Sequence, residues 1–159
     1  MLWSPPYNSV FKLNVDASLT SISGVVGVGF VIRDDFGHVR AAGSLKLKTF
    51  FHPLLAEAVA LLHGVWATLS SGFSPILVES DALGVVNVLK EGSSPTSDLV
   101  GIRVVCRSLN ILCFSFVPRT MNKFVDALAK VALSSISYYF LFEVCLPLVE
   151  LLVQDDFLG

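Results

Sequence analysis

The stretch FKLNVDAS, residues 11–18, decides how the chain is interpreted. Apolar and polar residues alternate along it, which is typical of a β-strand with one face on a core. Asp16 stands near its end, and a carboxylate carried into a sheet is costly unless its charge is compensated. The stretch therefore predicts a strand that brings an acid to a functional site.

Two more strand patterns follow. Val25–Arg33 and Val39–Lys48 are rich in β-branched and apolar residues, and DDFGH at residues 34–38 supplies a turn between them. The three segments predict an antiparallel meander. Gly27 and Gly29 in the second strand indicate that a backbone or a ligand approaches closely there.

Helices and strands alternate in the rest of the chain. His52–Ser71 is rich in alanine and leucine, with Pro53 in its first turn and Gly72 as a stop, and it predicts a long, mostly buried helix. The later patterns predict a strand at Pro75–Ser80, helices at Ala82–Glu91 and Thr96–Leu109, a strand at Leu112–Val117 and a helix from Asn122 to about Ser135.

Three further acids lie on these elements. Glu57 is in the second turn of the long helix, Asp81 directly follows the fourth strand and Asp126 lies one turn into the last helix. Each has an ordinary explanation: the helix dipole for the first, capping of the next helix by Ser80 or Asp81 for the second, and solvent exposure for the third. Together with Asp16 they indicate a metal site, and clustered acids without a metal predict at least one raised carboxyl pKa.

Composition limits the class of protein. The chain has 159 residues, of which 53% are hydrophobic and 15% charged, so we expect one ordered domain. No uncharged apolar run predicts a membrane span, and the start lacks a signal-peptide pattern. Three cysteines without CxxC spacing favour a reducing compartment, so we expect an intracellular protein of the nucleus or the cytoplasm.

The net charge of −2 is unusual for a protein that binds nucleic acid, because phosphate binding commonly leaves a basic footprint. The basic residues of the last third are nevertheless clustered: Arg103, Arg107, Arg119, Lys123 and Lys130.

Residues 1–10 predict an extended lead-in, residues 11–136 the domain, and residues 137–159 an amphipathic extension packed on the domain or on a partner. We expect a monomeric domain or a part of a longer chain.

Four motifs follow one another along the chain: FKLNVDAS from Phe11, LLAEAVALLHGV from Leu54, ILVESDALGVVNVL from Ile76 and FVPRTMNKFVDALAKVAL from Phe116. In this order they resemble the type 1 ribonuclease H-like domains of plant retroelement-derived, non-LTR reverse transcriptase-like proteins. The resemblance covers about residues 3 to 155. It implies a ribonuclease H-like α/β (α+β) fold, with a mixed five-stranded sheet of three antiparallel strands followed by parallel strands, and helices on both faces.

The resemblance also implies an activity. The four acids Asp16, Glu57, Asp81 and Asp126 match, one by one, the family's ligands for two Mg²⁺ or Mn²⁺ ions. The implied reaction is hydrolysis of the RNA strand of an RNA–DNA hybrid, in which two ions activate water and stabilise the leaving oxygen. We expect contacts to nucleic acid, whether a hybrid or another duplex, at Ala17, Ser18, Arg119, Asn122 and Lys123.

Two departures from the family keep a second hypothesis open. Many active members have glycine where this chain has Ala17, and several carry a histidine in the loop before the last helix, which here reads VPRTMNKF. The second hypothesis is therefore a catalytically weak or inert domesticated retroelement domain that binds nucleic acid or protein. A third is an α/β domain for a small ligand, in which the acids come together by chance.

Overall fold

The computed structural model describes residues 3–20, 24–91, 97–134 and 139–142. Its strands are β1 (Phe11–Leu19), β2 (Val25–Arg33), β3 (Val39–Lys48), β4 (Ile76–Ser80), β5 (Ile111–Phe116) and β6 (Tyr139–Phe142). Its helices are α1 (Pro53–Ser70), α2 (Leu83–Glu91), α3 (Ser97–Arg107) and α4 (Lys123–Ser134), with a 3₁₀ turn at Arg119–Met121. The sequence patterns predicted every element except β6 and the 3₁₀ turn, with small differences at the ends.

The strands form one mixed sheet in the order β5–β4–β1–β2–β3–β6. β1, β2 and β3 are antiparallel neighbours, whereas β4 runs parallel to β1 and β5 parallel to β4. The predicted five-stranded mixed sheet is thus confirmed, with β1 at its centre. β6 adds a sixth strand, antiparallel to β3, from the segment interpreted as a C-terminal extension. The rest of that extension lies outside the described residues.

α1 packs one side against the sheet. Leu61 and Val65 are fully buried in a cluster with Leu13 and Val15 of β1. α2 and α3 also pack against α1, and the remaining side is open, because a helix on a sheet buries mainly the stripe that faces its neighbours. Trp66, for example, is 53% exposed. The expectation of a mostly buried helix is therefore wrong, since 39% of Pro53–Ser70 is buried.

α1 also corrects a second expectation. By length and composition alone, Pro53–Ser70 is apolar enough to cross a membrane, although we expected no such segment from the sequence. The core helix of a domain meets the same criteria, and the buried stripe on the sheet accounts for much of the apolar character of α1.

α4 packs on the opposite face of the sheet, very close to β2. A Cβ atom at Gly27 would collide with the carbonyl oxygen of Ala129, and one at Gly29 with that of Val125. The two glycines therefore mark the close backbone approach that the sequence predicted. This contact sets the position of α4 and, with it, of Asp126.

Candidate active site

The four predicted acids come together from β1, the end of β4, α1 and α4. Val15 pairs with Ser80 across the parallel strands, so Asp16 of β1 and Asp81, directly after β4, occupy neighbouring positions. The charges of Asp81 and Asp126 act on Asp16, and those of Asp16 and Asp81 act on Glu57. The four carboxyl groups therefore share one electrostatic environment.

The backbone amide of Ala17 joins Asp16 to Glu57. It donates to Oδ1 of Asp16 at 2.9 Å and to Oε2 of Glu57 at 3.2 Å. Burial, reinforced by the negative charges of Asp81 and Asp126, raises the pKa of Asp16 to about 7. Burial, together with the charges of Asp16 and Asp81, raises the pKa of Glu57 to about 8. The predicted rise in carboxyl pKa is confirmed, and it makes this pair hold protons near neutral pH when no cation is present.

The Oδ2 atom of Asp16 is placed where it could accept a cation. The residue is 1% exposed, and within the part of the chain that the structure describes its Oδ2 atom is buried without a hydrogen-bond partner. Buried polar atoms are nearly always satisfied. A carboxylate oxygen at this depth is therefore well placed to accept a cation.

Arg119 lies between the other two acids. Its Nη2 atom donates to Oδ1 of Asp126 at 3.3 Å, and its Nε atom lies 3.8 Å from Oδ2 of Asp81. Lys130, one turn further along α4, donates to Oδ2 of Asp126. Burial raises the pKa of Asp126, but the hydrogen bond and charge of Lys130 and the charge of Arg119 outweigh it and hold that pKa below its ordinary value. The Asp126 side chain is only 17% exposed. Solvent exposure, the ordinary explanation for an acid on the surface of a helix, therefore does not account for Asp126.

Asn122 holds Asp81 from inside the domain. Its side-chain amide donates to Oδ1 of Asp81 and to the carbonyl oxygen of Val15, both at 2.9 Å. Its own carbonyl accepts the Asp126 amide, so it stands at the predicted start of α4, but its amide group is used to hold Asp81. The hydroxyl of Ser80 accepts the backbone amide that precedes α2. Of the two capping candidates, Ser80 is thus the one that contacts the start of the next helix.

The acids suit a hard divalent cation in their chemistry. Among the described residues, no three histidine, cysteine, aspartate or glutamate side chains are close enough to form a ready site for one ion. They form two pairs instead, one sharing the Ala17 amide and the other sharing Arg119. Carboxylate oxygens are the ligands that Mg²⁺ prefers, and the unpartnered oxygen of Asp16 is a donor that such an ion would satisfy.

The residues predicted to contact nucleic acid differ in exposure. The Arg119 side chain is 72% exposed, Lys123 is exposed and Ser18 is half-buried. Ala17 and Asn122 are 6% and 1% exposed. The methyl group of Ala17 packs in an apolar cluster with alanines of α1, and the Asn122 side chain is used inside the domain. Direct contact through these two side chains is therefore not supported, and for the other three it stays a prediction.

Sequence reasoning missed the polar group that lies under the site. Lys12 and Asn14 are buried on β1, and Glu79 is buried on β4. The signal was present, because the two-residue period of a strand puts Lys12, Asn14 and Asp16 on one face of β1. A polar face on a central strand should have been interpreted as a network supporting the acid.

Comparisons with known proteins agree with this architecture. Residues 14–132 match the reverse transcriptase-like family. RNase H1 from the halophilic archaeon Halobacterium salinarum is 27% identical, with a TM-score of 0.72 over 79% of this chain and 98% of that chain. The N-terminal RNase H domain of a Mycobacterium tuberculosis protein is 21% identical, with a TM-score of 0.69 over 79% of this chain and 94% of that chain.

A third similar structure is LC11-RNase H1 in complex with an RNA/DNA hybrid. It is 18% identical, with a TM-score of 0.68 over 78% of this chain and 96% of that chain. No curated protein sequence matches the chain significantly.

Proposed function

The chain belongs to the reverse transcriptase-like family, and we propose that it is a metal-dependent endonuclease that hydrolyses the RNA strand of RNA–DNA hybrids. The observation that carries the proposal is the buried, unsatisfied Oδ2 atom of Asp16 beside Glu57 and Asp81. An oxygen so placed in a group of acids on a ribonuclease H fold is best explained by a divalent ion.

Mg²⁺ or Mn²⁺, two ions in all, would be held by the four acids, and would activate water and stabilise the leaving oxygen. Asp16 and Glu57 would lose their protons when the ions bind, because a nearby positive charge favours the ionised carboxylate. Asp81 is already oriented by Asn122. Asp126 is ionised in advance because Lys130 and Arg119 lower its pKa.

Nucleic acid would be held mainly by its backbone. Arg119 and Lys123 are exposed next to the acids, at the start of α4. Their positive charge suits phosphate, and contacts to phosphate are independent of sequence. The LC11 enzyme, which has this fold, was captured with an RNA/DNA hybrid, and we propose the same class of substrate for this chain.

The four motifs and their order support a retroelement origin, and their form supports a plant source. Substrate class and cysteine spacing together support a place inside the cell, in the nucleus or the cytoplasm. We propose a monomeric domain, either alone or within a longer chain.

A second function is favoured by the position of Arg119. Because its guanidinium lies against Asp81 and Asp126, two of the acids share a positive partner without a metal. A chain that kept this arrangement permanently would bind nucleic acid or protein without cutting it.

A cleavage assay separates the two functions. The substrate is an RNA–DNA hybrid with a labelled RNA strand, with double-stranded DNA and double-stranded RNA alongside, in Mg²⁺ or in chelator. We expect cleavage of the hybrid only, dependent on Mg²⁺ and lost in Asp81→Asn. Asp98→Asn, an exposed acid on α3, is the matched control and should cut normally. Hybrid binding without cleavage by the wild type would establish the second function.

A further inference from the structure

A line of hydrogen bonds runs from the N-terminal segment to Asp81. The indole Nε1–H of Trp3 donates to Oδ1 of Asn14 at 3.0 Å. The amide nitrogen of Asn14 donates to Oδ1 of Asn122 at 3.4 Å, and that of Asn122 donates to Oδ1 of Asp81 at 2.9 Å. Trp3, Asn14 and Asn122 are 4%, 1% and 1% exposed, so water does not compete for these bonds.

We propose that Trp3 and Asn14 are positioning residues that act through Asn122 to orient Asp81 for a divalent cation. This inference rests on the proposed function. It extends the candidate site to a residue in the N-terminal lead-in, outside the sheet and far in sequence from the acid.

Trp3 sets which end of each amide donates and which accepts in this line of hydrogen bonds. An indole N–H is a donor only, so the oxygen of the Asn14 amide must face Trp3 and its nitrogen must face the other way. Glu79 enforces the same orientation, because its Oε2 atom accepts from the Asn14 nitrogen at 2.9 Å. Lys12 pairs with Oε1 of Glu79 at 2.8 Å and so holds this acceptor in place.

The orientation passes to Asp81 through the second amide. The oxygen of Asn122 faces the Asn14 nitrogen, so the nitrogen of Asn122 faces Asp81 and the carbonyl of Val15. A reversed amide would set its oxygen against the carboxylate, which is repulsive. The hydrogen bond from Asn122 holds Oδ1 of Asp81. Oδ2 is therefore the oxygen that faces Arg119, and a cation would take the place of the guanidinium there.

Trp3 is itself held in place by cations. The guanidinium of the buried Arg33 lies 4.4 Å from the centre of the Trp3 ring and 5.2 Å from the Phe124 ring of α4. The ammonium of Lys12 lies 5.3 Å from the Trp3 ring. A phenylalanine at position 3 keeps an aromatic face for these contacts and removes the N–H donor together with part of the indole ring, so the metal-free melting temperature of Trp3→Phe is measured beside its Mg²⁺ affinity.

The chain offers a matched control, since its two tryptophans are Trp3 and Trp66. Trp66 is 53% exposed on α1 and stands outside this line of hydrogen bonds. Mg²⁺ affinity is measured by calorimetry, and independently from the rise of the melting temperature with Mg²⁺ concentration. Cleavage of a hybrid is followed in the same Mg²⁺ series.

We expect Trp3→Phe to weaken Mg²⁺ binding by roughly 3- to 10-fold, as the loss of one remote hydrogen bond would. Asn122→Ala should weaken it by about 10- to 100-fold, as for other groups that orient a metal ligand. Trp66→Phe should leave it unchanged. The Mg²⁺ concentration for half-maximal cleavage should shift in parallel, with the rate at saturating Mg²⁺ largely restored in Trp3→Phe.

Equal Mg²⁺ affinity in Trp3→Phe and Trp66→Phe would overturn the inference, whatever either change does to stability. If Trp3→Phe loses Mg²⁺ affinity although the wild type cuts no hybrid, the positioning role stands and the proposed function fails. A wild type that binds no Mg²⁺ would overturn both.

Discussion

Arg119 donates to Asp126 across the mouth of the candidate site, with Nη2 3.3 Å from Oδ1. Its guanidinium also lies near Asp81, so its positive charge occupies the place where a metal ion is expected to neutralise the same two acids. Arg119 and a divalent cation should therefore compete for these carboxylates.

Replacing Arg119 by glutamine should tighten Mg²⁺ binding. An exposed ion pair is worth little, so we expect a gain of only about two- to fivefold in affinity. The Mg²⁺-dependent rise of the melting temperature measures it. Lys123→Gln, which removes an exposed charge at the start of α4, is the control and should leave the affinity unchanged. Weaker Mg²⁺ binding in Arg119→Gln would mean that the guanidinium helps the ion instead of competing with it.

Removing Arg119 and Lys123 together should weaken hybrid binding and reduce its dependence on salt. Each lost phosphate contact lowers the slope of log K against log salt by about 0.9 for a B-DNA duplex, and we expect a change of similar size for a hybrid. The double alanine variant is compared with Lys48→Ala/Lys90→Ala, which removes the same charge from exposed positions on β3 and α2. Equal slopes in the two double variants would move the nucleic-acid surface elsewhere.

The space around two glycines predicts opposite effects of replacing them by alanine. Gly27→Ala should destabilise the domain by about 1–3 kcal/mol, because the new methyl group meets the carbonyl oxygen of Ala129. Gly101→Ala should stabilise it by about 0.5–1 kcal/mol, because Gly101 lies within α3 with open space around it. Urea unfolding of both variants measures the two changes. A harmless Gly27→Ala would show that α4 is free to move away from the sheet.

Most of the fold could be predicted from local patterns. The two-residue period of FKLNVDAS and the β-branched residues of the strands after it predict the meander from local patterns, although the structure buries both faces of β1 and β2. The site could be predicted as a set of acids for the same reason: Asp16, Glu57 and Asp81 lie at positions set by single elements.

Three features could not be predicted from local patterns: the hydrogen bond between Asn14 and Asn122, the edge strand β6 and the partial exposure of α1. Asn14 and Asn122 are 108 residues apart in sequence, and only packing of α4 on the sheet brings their amides together. β6 is four residues long and lies at a sheet edge, where short strands carry little patterning. The exposed side of α1 carries Trp66, and several of its leucines and valines are only partly buried, so composition alone predicted too much burial for this helix.

Stability without a metal should fall as the pH rises from about 5 to 8.5. Asp16 and Glu57 have pKa values of about 7 and about 8 in the folded protein, against ordinary values of 3.8 and 4.5. The folded state therefore binds more protons than the unfolded state between these limits. The stability that this supplies is complete below about pH 4 and is lost as the pH passes through the folded values. Asp126, whose pKa is lowered, is ionised throughout this window.

Melting curves in chelator test this dependence. We expect a drop of about 4 °C or more across the window, which corresponds to roughly 1 kcal/mol. Asp16→Asn should flatten the curve, whereas Asp98→Asn should leave its slope unchanged. A melting temperature that rises with pH would show that the two carboxyl groups are not buried as the structure places them.

The sharpest prediction concerns Asp16 itself. Asp16→Asn should abolish hybrid cleavage, because it removes a charged ligand from the centre of the site, and the described residues around the four acids include no histidine or thiol that could replace a metal in activating water. The same change should leave the metal-free protein as stable as the wild type or more stable at pH 8, since it relieves the repulsion of a buried carboxylate by Glu57, Asp81 and Asp126.

Mg²⁺ then distinguishes a catalytic site from a retained fold. An ion that binds only the folded state raises the melting temperature, so the wild type should gain more from Mg²⁺ than Asp16→Asn does. Asp98→Asn should gain as much as the wild type. Equal gains in all three proteins, with no cleavage by the wild type, would place the ion elsewhere. The four carboxyl groups would then be a feature of the fold kept without its chemistry, with Arg119 as the permanent counter-ion of Asp81 and Asp126.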